Sequence, residues 1–146
     1  MEIQVKGLDR LLKKLDKLGG DIPQSMQKAM LRGGAVFEAG AKEHCPVDTG
    51  QLRESIHTEA QSESTVTVGT SVQYAPYVEF GTGPKGDPSV PHTTKTSWRY
   101  QDAEGSWHTS HGQPPQPFMR TAFAENKDKA VDAVKESIQE DVNHLK

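Results

Sequence analysis

The side chains of this sequence with the most chemical potential are one cysteine, six histidines and scattered carboxylates. A zinc site needs clustered Cys and His ligands at short spacings, but the sequence has a single Cys45 and no CxxC pair. His108 and His111 lie in a polar stretch with no carboxylate at a recognisable ligand spacing. We therefore predict no metal site and no cofactor, and we interpret the histidines as solvated or packing residues.

Cys45 and Asp48 are the two candidates for covalent or acid–base chemistry. A thiolate beside a histidine is a nucleophile, and a carboxylate is an acid or base. However, Cys45 ends a run of small residues just before Pro46, which favours a buried structural thiol. Asp48 precedes Thr49 and Gly50, which favours a turn in which the carboxylate accepts backbone N–H groups. We predict no catalytic residue, and a small hydrolase using Asp48, Cys45 and a histidine is the least favoured alternative.

Nucleotide or nucleic-acid binding is the other chemistry to consider. The run from Gly81 to Gly86 is rich in glycine and contains Lys85, but it lacks the GxxxxGK[ST] spacing of a phosphate-binding loop. The aromatic residues could stack on bases, yet no dense basic flank accompanies them. The 17 Lys and Arg are outnumbered by 20 Asp and Glu, whereas DNA-binding domains carry a basic excess. A nucleic-acid-binding module stays as an alternative, which a basic stripe in the folded protein would favour.

The first third of the chain predicts two helices. Residues 3–5 alternate apolar and polar side chains, as a short strand does, and leucines then recur at helical spacing until Gly19 and Gly20 end the pattern. A second helix begins near Asp21, a candidate N-cap, and ends at Pro46. Glycine costs about 1 kcal/mol in a helix, so its several glycines indicate close packing of another backbone. One face of this helix carries Met26, Met30, Gly33, Phe37, Gly40 and His44.

The remaining elements are shorter until the last helix. Residues 51–55 predict a short helix with Leu52 pointing inward, and residues 57–60 and 65–69 predict an antiparallel pair. Residues 75–80 predict one helical turn closed by Gly81, and a long helix begins near Phe118. These patterns predict one α+β domain over residues 1–146, with a small antiparallel sheet packed against two longer helices.

Residues 82–117, which we call the arm, are rich in proline, glycine and small polar residues. Within the arm, two aromatic runs flank a polar turn at residues 101–105, which predicts a β-hairpin. Such a segment cannot bury enough apolar area to order itself, so we expect the arm to be mobile before assembly. Trp98, Tyr100 and Trp107 are the predicted interface residues, because exposed aromatic side chains are common anchors at interfaces. The leucine helix is a second candidate arm.

The amino-acid composition indicates the compartment in which the protein is expected to work. Only 33% of the residues are apolar and the mean hydropathy is -0.72, which is a thin core for 146 residues. The single cysteine cannot form an internal disulfide, which fits assembly in a reducing cytoplasm. No segment approaches the ~20 apolar residues of a membrane span, and the N-terminus lacks the apolar core of a signal peptide. We therefore expect a soluble protein with no membrane partner.

Three ordered motifs resemble one family of phage morphogenesis proteins. The run from Pro46 to Ile56, PVDTGQLRESI, resembles the family's V-D-T-G-x-L-R-x-S-I signature. The run from Tyr74 to Gly83, YAPYVEFGTG, looks like its Y-A-x-x-V-E-F-G-T segment. The third run, QPFMRTA, is similar to a P-F-x-x-P-A segment that opens the last helix, with Thr121 in place of the usual proline. The motif positions are Pro46, Asp48, Thr49, Gly50, Leu52, Tyr74, Glu79, Phe80, Gly81, Pro117 and Phe118.

The resemblance is to head–tail joining proteins, the neck and tail-completion proteins of HK97-type and lambda-like long-tailed phages. It implies a structural virion protein without enzymatic activity, assembled in the bacterial cytoplasm and located at the head–tail junction. It also implies a homo-oligomeric ring, hexameric or alternatively dodecameric. The implied neighbours are portal or head-closure proteins on one side and tail-terminator or tail-tube proteins on the other. DNA would pass nearby without sequence-specific binding.

Overall fold

Two long helices, α2 (Ile22–His44) and α5 (Met119–Leu145), pack against each other and form the body of the protein. The computed structural model describes residues 5, 7–47, 50–91, 93 and 95–146. As predicted, Asp21 caps α2, and its Oδ1 accepts a hydrogen bond of 3.1 Å from the Gln24 N–H. The helix ends at His44, two residues before Pro46, as the sequence indicates.

The glycines of α2 are sites of close helix approach, which confirms the reason we inferred for them. A Cβ atom built on Gly33 would stand 2.8 Å from Val134 Cγ2, and one on Gly40 would stand 3.2 Å from Ala122 Cβ. Real Cβ atoms essentially never approach as closely as the first of these distances. The Phe37 and Phe123 rings stack between the two helices with their centroids 5.1 Å apart. The glycines leave no side chain between the two helix backbones, so α5 packs closely on α2. This packing offsets the poor helix propensity of glycine.

The leucine helix, α1 (Leu8–Lys17), lies on the body of its own subunit and is not an arm. Its leucines pack on a core cluster of Ala29, Val134 and Ile138, and Leu15 is fully buried. The spacing of leucines predicted the helix but could not distinguish burial within the subunit from burial on a neighbour. That alternative is now settled in favour of the subunit's own core.

A two-stranded antiparallel sheet covers another side of α2. Strands β1 (His57–Ala60) and β2 (Val66–Gly69) pair from His57 with Gly69 to Ala60 with Val66. A Cβ on Gly34 would stand 2.5 Å from Thr58 Cγ2, so a third α2 glycine lets the sheet approach. The short helix α3 (Gln51–Ser55) precedes β1 and buries Leu52. The core cluster on this side contains Ala41, Cys45, Leu52, Ile56, Ala75, Phe118 and Ala122.

The remaining elements are α4 (Ala75–Phe80), one turn of 3-10 helix (Gly83–Lys85), and a hairpin of β3 (Trp98–Gln101) and β4 (Trp107–Ser110). The sheets are separate, each with two strands, and the predicted α+β class is confirmed. Residues 3 and 4 of the predicted first strand, and the Asp48–Thr49 turn, lie outside the described residues. None of the helices in the described ranges combines the length and apolar character needed to cross a membrane.

Candidate functional site

The carboxylate of Glu79 joins the second and third sequence motifs. Glu79 lies in α4 and is 5% exposed. Its two oxygens accept hydrogen bonds from the backbone N–H groups of Met119 (2.9 Å) and Arg120 (3.1 Å), the first residues of α5. The first N–H groups of a helix have no partner within it, and negative charge is favoured there. Glu79 therefore caps α5 from 40 residues away.

Arg120 closes the same junction from the other side. Its Nε donates to Glu79 Oε1 at 2.9 Å, its Nη2 donates to the Glu79 carbonyl at 3.1 Å, and its Nη1 donates to Asp87 Oδ2 at 3.0 Å. The guanidinium also lies over the Phe80 ring, 4.7 Å from the centroid. Ser89 and Arg120 both donate to Asp87, which lowers the pKa of that carboxyl to about 2. Arg120 thus ties α4, the start of the arm and α5 into one unit.

The arm leaves and re-enters the body through a narrow base. Thr82 and Gln113 pair as an antiparallel bridge, with N–H to carbonyl distances of 2.9 and 3.1 Å. Gly81, Gly83 and Gly112 surround this bridge with φ values of +75°, +63° and +92°. A Cβ on Gly112 would stand 2.4 Å from the Thr82 carbonyl oxygen. The outgoing and returning segments of the arm therefore come together at positions where only glycine fits. This close contact fixes the direction in which the hairpin leaves the body.

The turn of the hairpin is held by Asp102. Its Oδ1 accepts the N–H groups of Glu104 and Ser106, both at 2.9 Å, and its Oδ2 lies 2.6 Å from His108 Nε2. Hydrogen bonds from His108 and Ser106 lower the pKa of Asp102. We expected no carboxylate partner for His108, and this expectation was wrong. Strand pairing brings residues six apart together, a spacing that does not mark a ligand set in an extended chain.

The aromatic residues of the hairpin divide into one inner and two outer side chains. Trp98 is half-buried, and its ring lies over Gly83 at the arm base. Tyr100 is 47% exposed and stacks on His108, and Trp107 is 60% exposed with Arg99 over its ring. Of the three predicted interface residues, Trp98 therefore belongs largely to its own subunit. Tyr100 and Trp107 present their rings to solvent.

The first motif has a structural role in the described residues. Gly50 has a φ of +85°, which confirms the predicted positive value, and it precedes α3. Leu52 is buried and Pro46 is half-buried, whereas Asp48 and Thr49 lie outside the described residues. In the other motifs, Phe118 is 1% exposed and packs in the core, while Tyr74 and Pro117 are exposed. Leu52 and Ile56 of this motif share one core cluster with Ala75 and Phe118, so the first motif packs with the other two although it makes none of the hydrogen bonds at Glu79 described above.

Sequence reasoning missed Arg120, Asp87 and Asp102 as determinants of this region. Arg120 lies inside the third motif, so its position was a usable signal, although nothing in the sequence identified Glu79 as its partner. Asp87 and Asp102 are ordinary loop carboxylates by sequence. Only the fold brings the first to Arg120 and the second to His108.

The hydrolase alternative finds no support in the described residues. Cys45 is 5% exposed, burial raises the pKa of its thiol, and its Sγ donates to the Pro46 carbonyl at 3.5 Å. Its neighbour His44 instead pairs with Glu125 on α5, at 2.6 Å. A raised pKa disfavours the thiolate, which is the nucleophilic form. Among the described residues, no group of three or more His, Cys, Asp or Glu is placed to hold a metal ion.

A basic surface lies on α1. Arg10, Lys13, Lys14 and Lys17 recur at spacings of three and four, so they share the side of the helix opposite to the buried leucines, and all four are exposed. Asp9 and Asp16 flank this stripe on one side. The folded protein therefore has the kind of basic stripe that the nucleic-acid alternative requires, although it covers a helix of only 10 residues.

Residues 9–81, half of the chain, match the family model described as "Bacteriophage HK97-gp10, putative tail-component". The matched range contains the first motif and the second as far as Gly81, and the third motif, outside it, is hydrogen-bonded to Glu79 within it. No curated protein and no solved structure matches the chain. The matched range, together with the motifs that meet at Glu79, shows that the chain belongs to the HK97-gp10-like family of bacteriophage tail components, structural proteins of the virion.

Proposed function

We propose that this tail component is a ring-forming subunit at the head–tail junction, a neck or tail-completion protein that joins the tail to the DNA-filled head. The proposal rests on one observation above the others. A rigid two-helix body carries a hairpin that projects from a fixed base with exposed aromatic residues at its outer end. A ring subunit needs such a body and an extension that reaches a neighbour.

The physical argument concerns the cost of exposing the arm. Every residue from Arg99 to Thr109 is exposed except Asp102. An isolated two-stranded hairpin is marginally stable in water, and Trp107 adds a large apolar ring that remains in solvent. Binding to a neighbouring protein would bury these rings. Glu79 and Arg120 fix the arm base beforehand, which lowers the ordering cost of that contact.

The test is a phage in which this gene carries an early stop codon. We expect its lysates to contain DNA-filled heads and finished tails that are not joined, and we expect purified wild-type protein to restore joining when added. Lysates with joined particles, or with tails blocked before tube completion, would contradict a role at the junction. The second outcome would still leave a tail component that acts earlier in tail assembly.

Amide hydrogen exchange tests whether the arm orders on assembly. Amide exchange of residues 98–110 should be fast in the isolated protein and slow in particles, whereas residues 24–44 should be protected in both. Protection of the hairpin in the isolated protein would mean that the arm is ordered beforehand. That result would remove ordering, but not binding, from the proposed role.

Nucleic-acid binding is a second candidate function, and the basic stripe on α1 is the observation that favours it. If the four cations contact phosphates, the affinity for duplex DNA should fall with salt, with a slope of log K against log salt of about −3.6. Replacing Lys14 and Lys17 by glutamate should then abolish retention on DNA. Equal retention of this variant and the wild type would exclude the stripe as a DNA site.

A further inference from the structure

Two exposed surfaces of different character lie at opposite ends of the body. The first, which we call the tip surface, consists of Tyr100, Asp102, Glu104 and Trp107 at the outer end of the hairpin. It combines two exposed rings with two carboxylates, of which Asp102 also bonds His108. Arg99 lies over the Trp107 ring, so one cation stands against the two carboxylates and the net charge of the tip is negative. The tip surface is therefore aromatic and acidic.

The second, which we call the α1 surface, consists of Lys14, Lys17, Leu18 and Leu145. Leu18 is 39% and Leu145 is 43% exposed, and Leu145 lies beside Gly20, two residues after Leu18 in the chain, where a Cβ would stand 3.0 Å from Leu145 Cδ1. Arg10 and Lys13 continue the basic side of α1 beyond this patch. The α1 surface is therefore apolar and basic, and it complements the tip surface in both respects.

The two surfaces cannot meet within one chain. The arm base is bonded to the first turn of α5, whereas Leu145 lies at its other end, and a helix of 27 residues is about 40 Å long. The hairpin extends from Trp98 to Glu104, which spans about 23 Å even when fully extended. The tip of one subunit therefore cannot reach its own α1 surface.

We propose that the tip surface of one copy of this chain binds the α1 surface of the next copy. The inference rests on the proposed assembly function and names the contact that builds the ring. Because the two surfaces differ, the contact is head to tail, so each copy offers one free surface of each kind to the next. Such a contact closes into a ring when the rotation per subunit fits and otherwise forms a filament.

Area indicates how strong this contact is. Two aromatic side chains bury about 300–500 Å², against about 800 Å² per partner in a stable interface. A single tip contact is therefore weak, and closure of the ring holds the assembly together. Raising NaCl from about 0.1 M to about 1 M should weaken it, because the screening length falls from about 10 Å to about 3 Å.

A mixing experiment tests the head-to-tail geometry. Trp107→Ala lacks a working tip, and Lys14→Glu/Lys17→Glu lacks a working α1 surface. By sedimentation velocity, each should self-associate about 30-fold more weakly than the wild type. Mixed together they should form one-to-one pairs that do not grow, because one working contact remains per pair. The controls, Tyr77→Ala for an exposed ring and Lys129→Glu for an exposed cation, should assemble as the wild type does.

Cross-linking in particles gives a readout that does not depend on self-association of the purified protein. A variant that combines Glu104→Cys with Lys14→Cys should form disulfide-linked oligomers in oxidised particles. The control variant, Glu104→Cys with Lys129→Cys, should form no disulfide between subunits. Absence of the first cross-link would overturn the proposed contact, as would wild-type assembly of both surface variants. If the lysine variant keeps self-association but loses DNA retention, the α1 surface binds DNA and the proposal fails. If the variants assemble as expected but Trp107→Ala joins heads to tails normally, the contact between copies stands. The proposed role at the head–tail junction is then refuted.

Discussion

Replacing the buried carboxylate of Glu79 by an amide should destabilise the protein through the start of α5. In Glu79→Gln, one oxygen becomes an NH₂ group that faces an N–H donor, either Met119 or Arg120, and the other oxygen loses its charge. Hydrogen bonds to charged groups contribute about 1.5–3 kcal/mol, against about 1 kcal/mol for neutral ones. The Arg120 side chain contributes little to this difference, because it is 44% exposed and keeps Asp87 as a partner.

The two backbone caps alone give a loss of about 3 kcal/mol in the free energy of unfolding, or roughly 10 °C in Tm. Urea unfolding followed by circular dichroism measures the first quantity. Amide exchange at Met119 and Arg120 reports the caps directly and should accelerate before other parts of α5. Asp87→Asn is the matched control, because it removes a partner of Arg120 but leaves both caps. Unchanged unfolding and unchanged exchange in Glu79→Gln would refute remote capping of α5.

Three further predictions concern glycine positions and pH. Gly50→Val should destabilise the body by about 1–3 kcal/mol, because a β-branched residue is strained at a φ of +85°; thermal melting and virion yield measure this. Gly81→Ala should disrupt the arm base, because its Cβ would lie 2.6 Å from the Gln113 carbonyl oxygen; amide exchange at Thr82 and Gln113, which donate across the bridge, should rise. Asp87 should titrate at about 2 by NMR, so its stabilising contribution is present above about pH 4 and is lost as the pH falls towards 2.

The Gly81 and pH predictions each have a control. Gly105→Ala also carries a positive φ, of +90°, but its Cβ would meet only the end of the Gln101 side chain at 3.6 Å. It should therefore show backbone strain without the steric disruption expected at Gly81. For the pH prediction, the difference in unfolding free energy between the wild type and Asp87→Asn should shrink below pH 4, and a difference that grows there would contradict the assigned sign.

The sequence predicted the elements well because their signals are local. Asp21, Pro46 and Gly81 mark helix ends by their own side-chain or backbone chemistry, and the aromatic runs on either side of the polar turn at residues 101–105 predicted the hairpin. The three motifs identified the candidate region. What could not be predicted were partners distant in sequence, such as Glu79 with α5 and Asp102 with His108. The location of α1 was equally undetermined, because an apolar stripe specifies burial but not the surface that buries it.

The long-range packing of α2 against α5 has a consequence for synthesis on the ribosome. Arg32 pairs with Glu140, 108 residues later, and Lys28 with Asp141. The face of α2 that carries Gly33 and Gly40 thus has no partner until α5 has been translated. Domains with such distant contacts fold slowly and expose apolar surface meanwhile. A nascent chain without α5 should therefore be a target for chaperones, and subunits should enter assembly only after translation of α5.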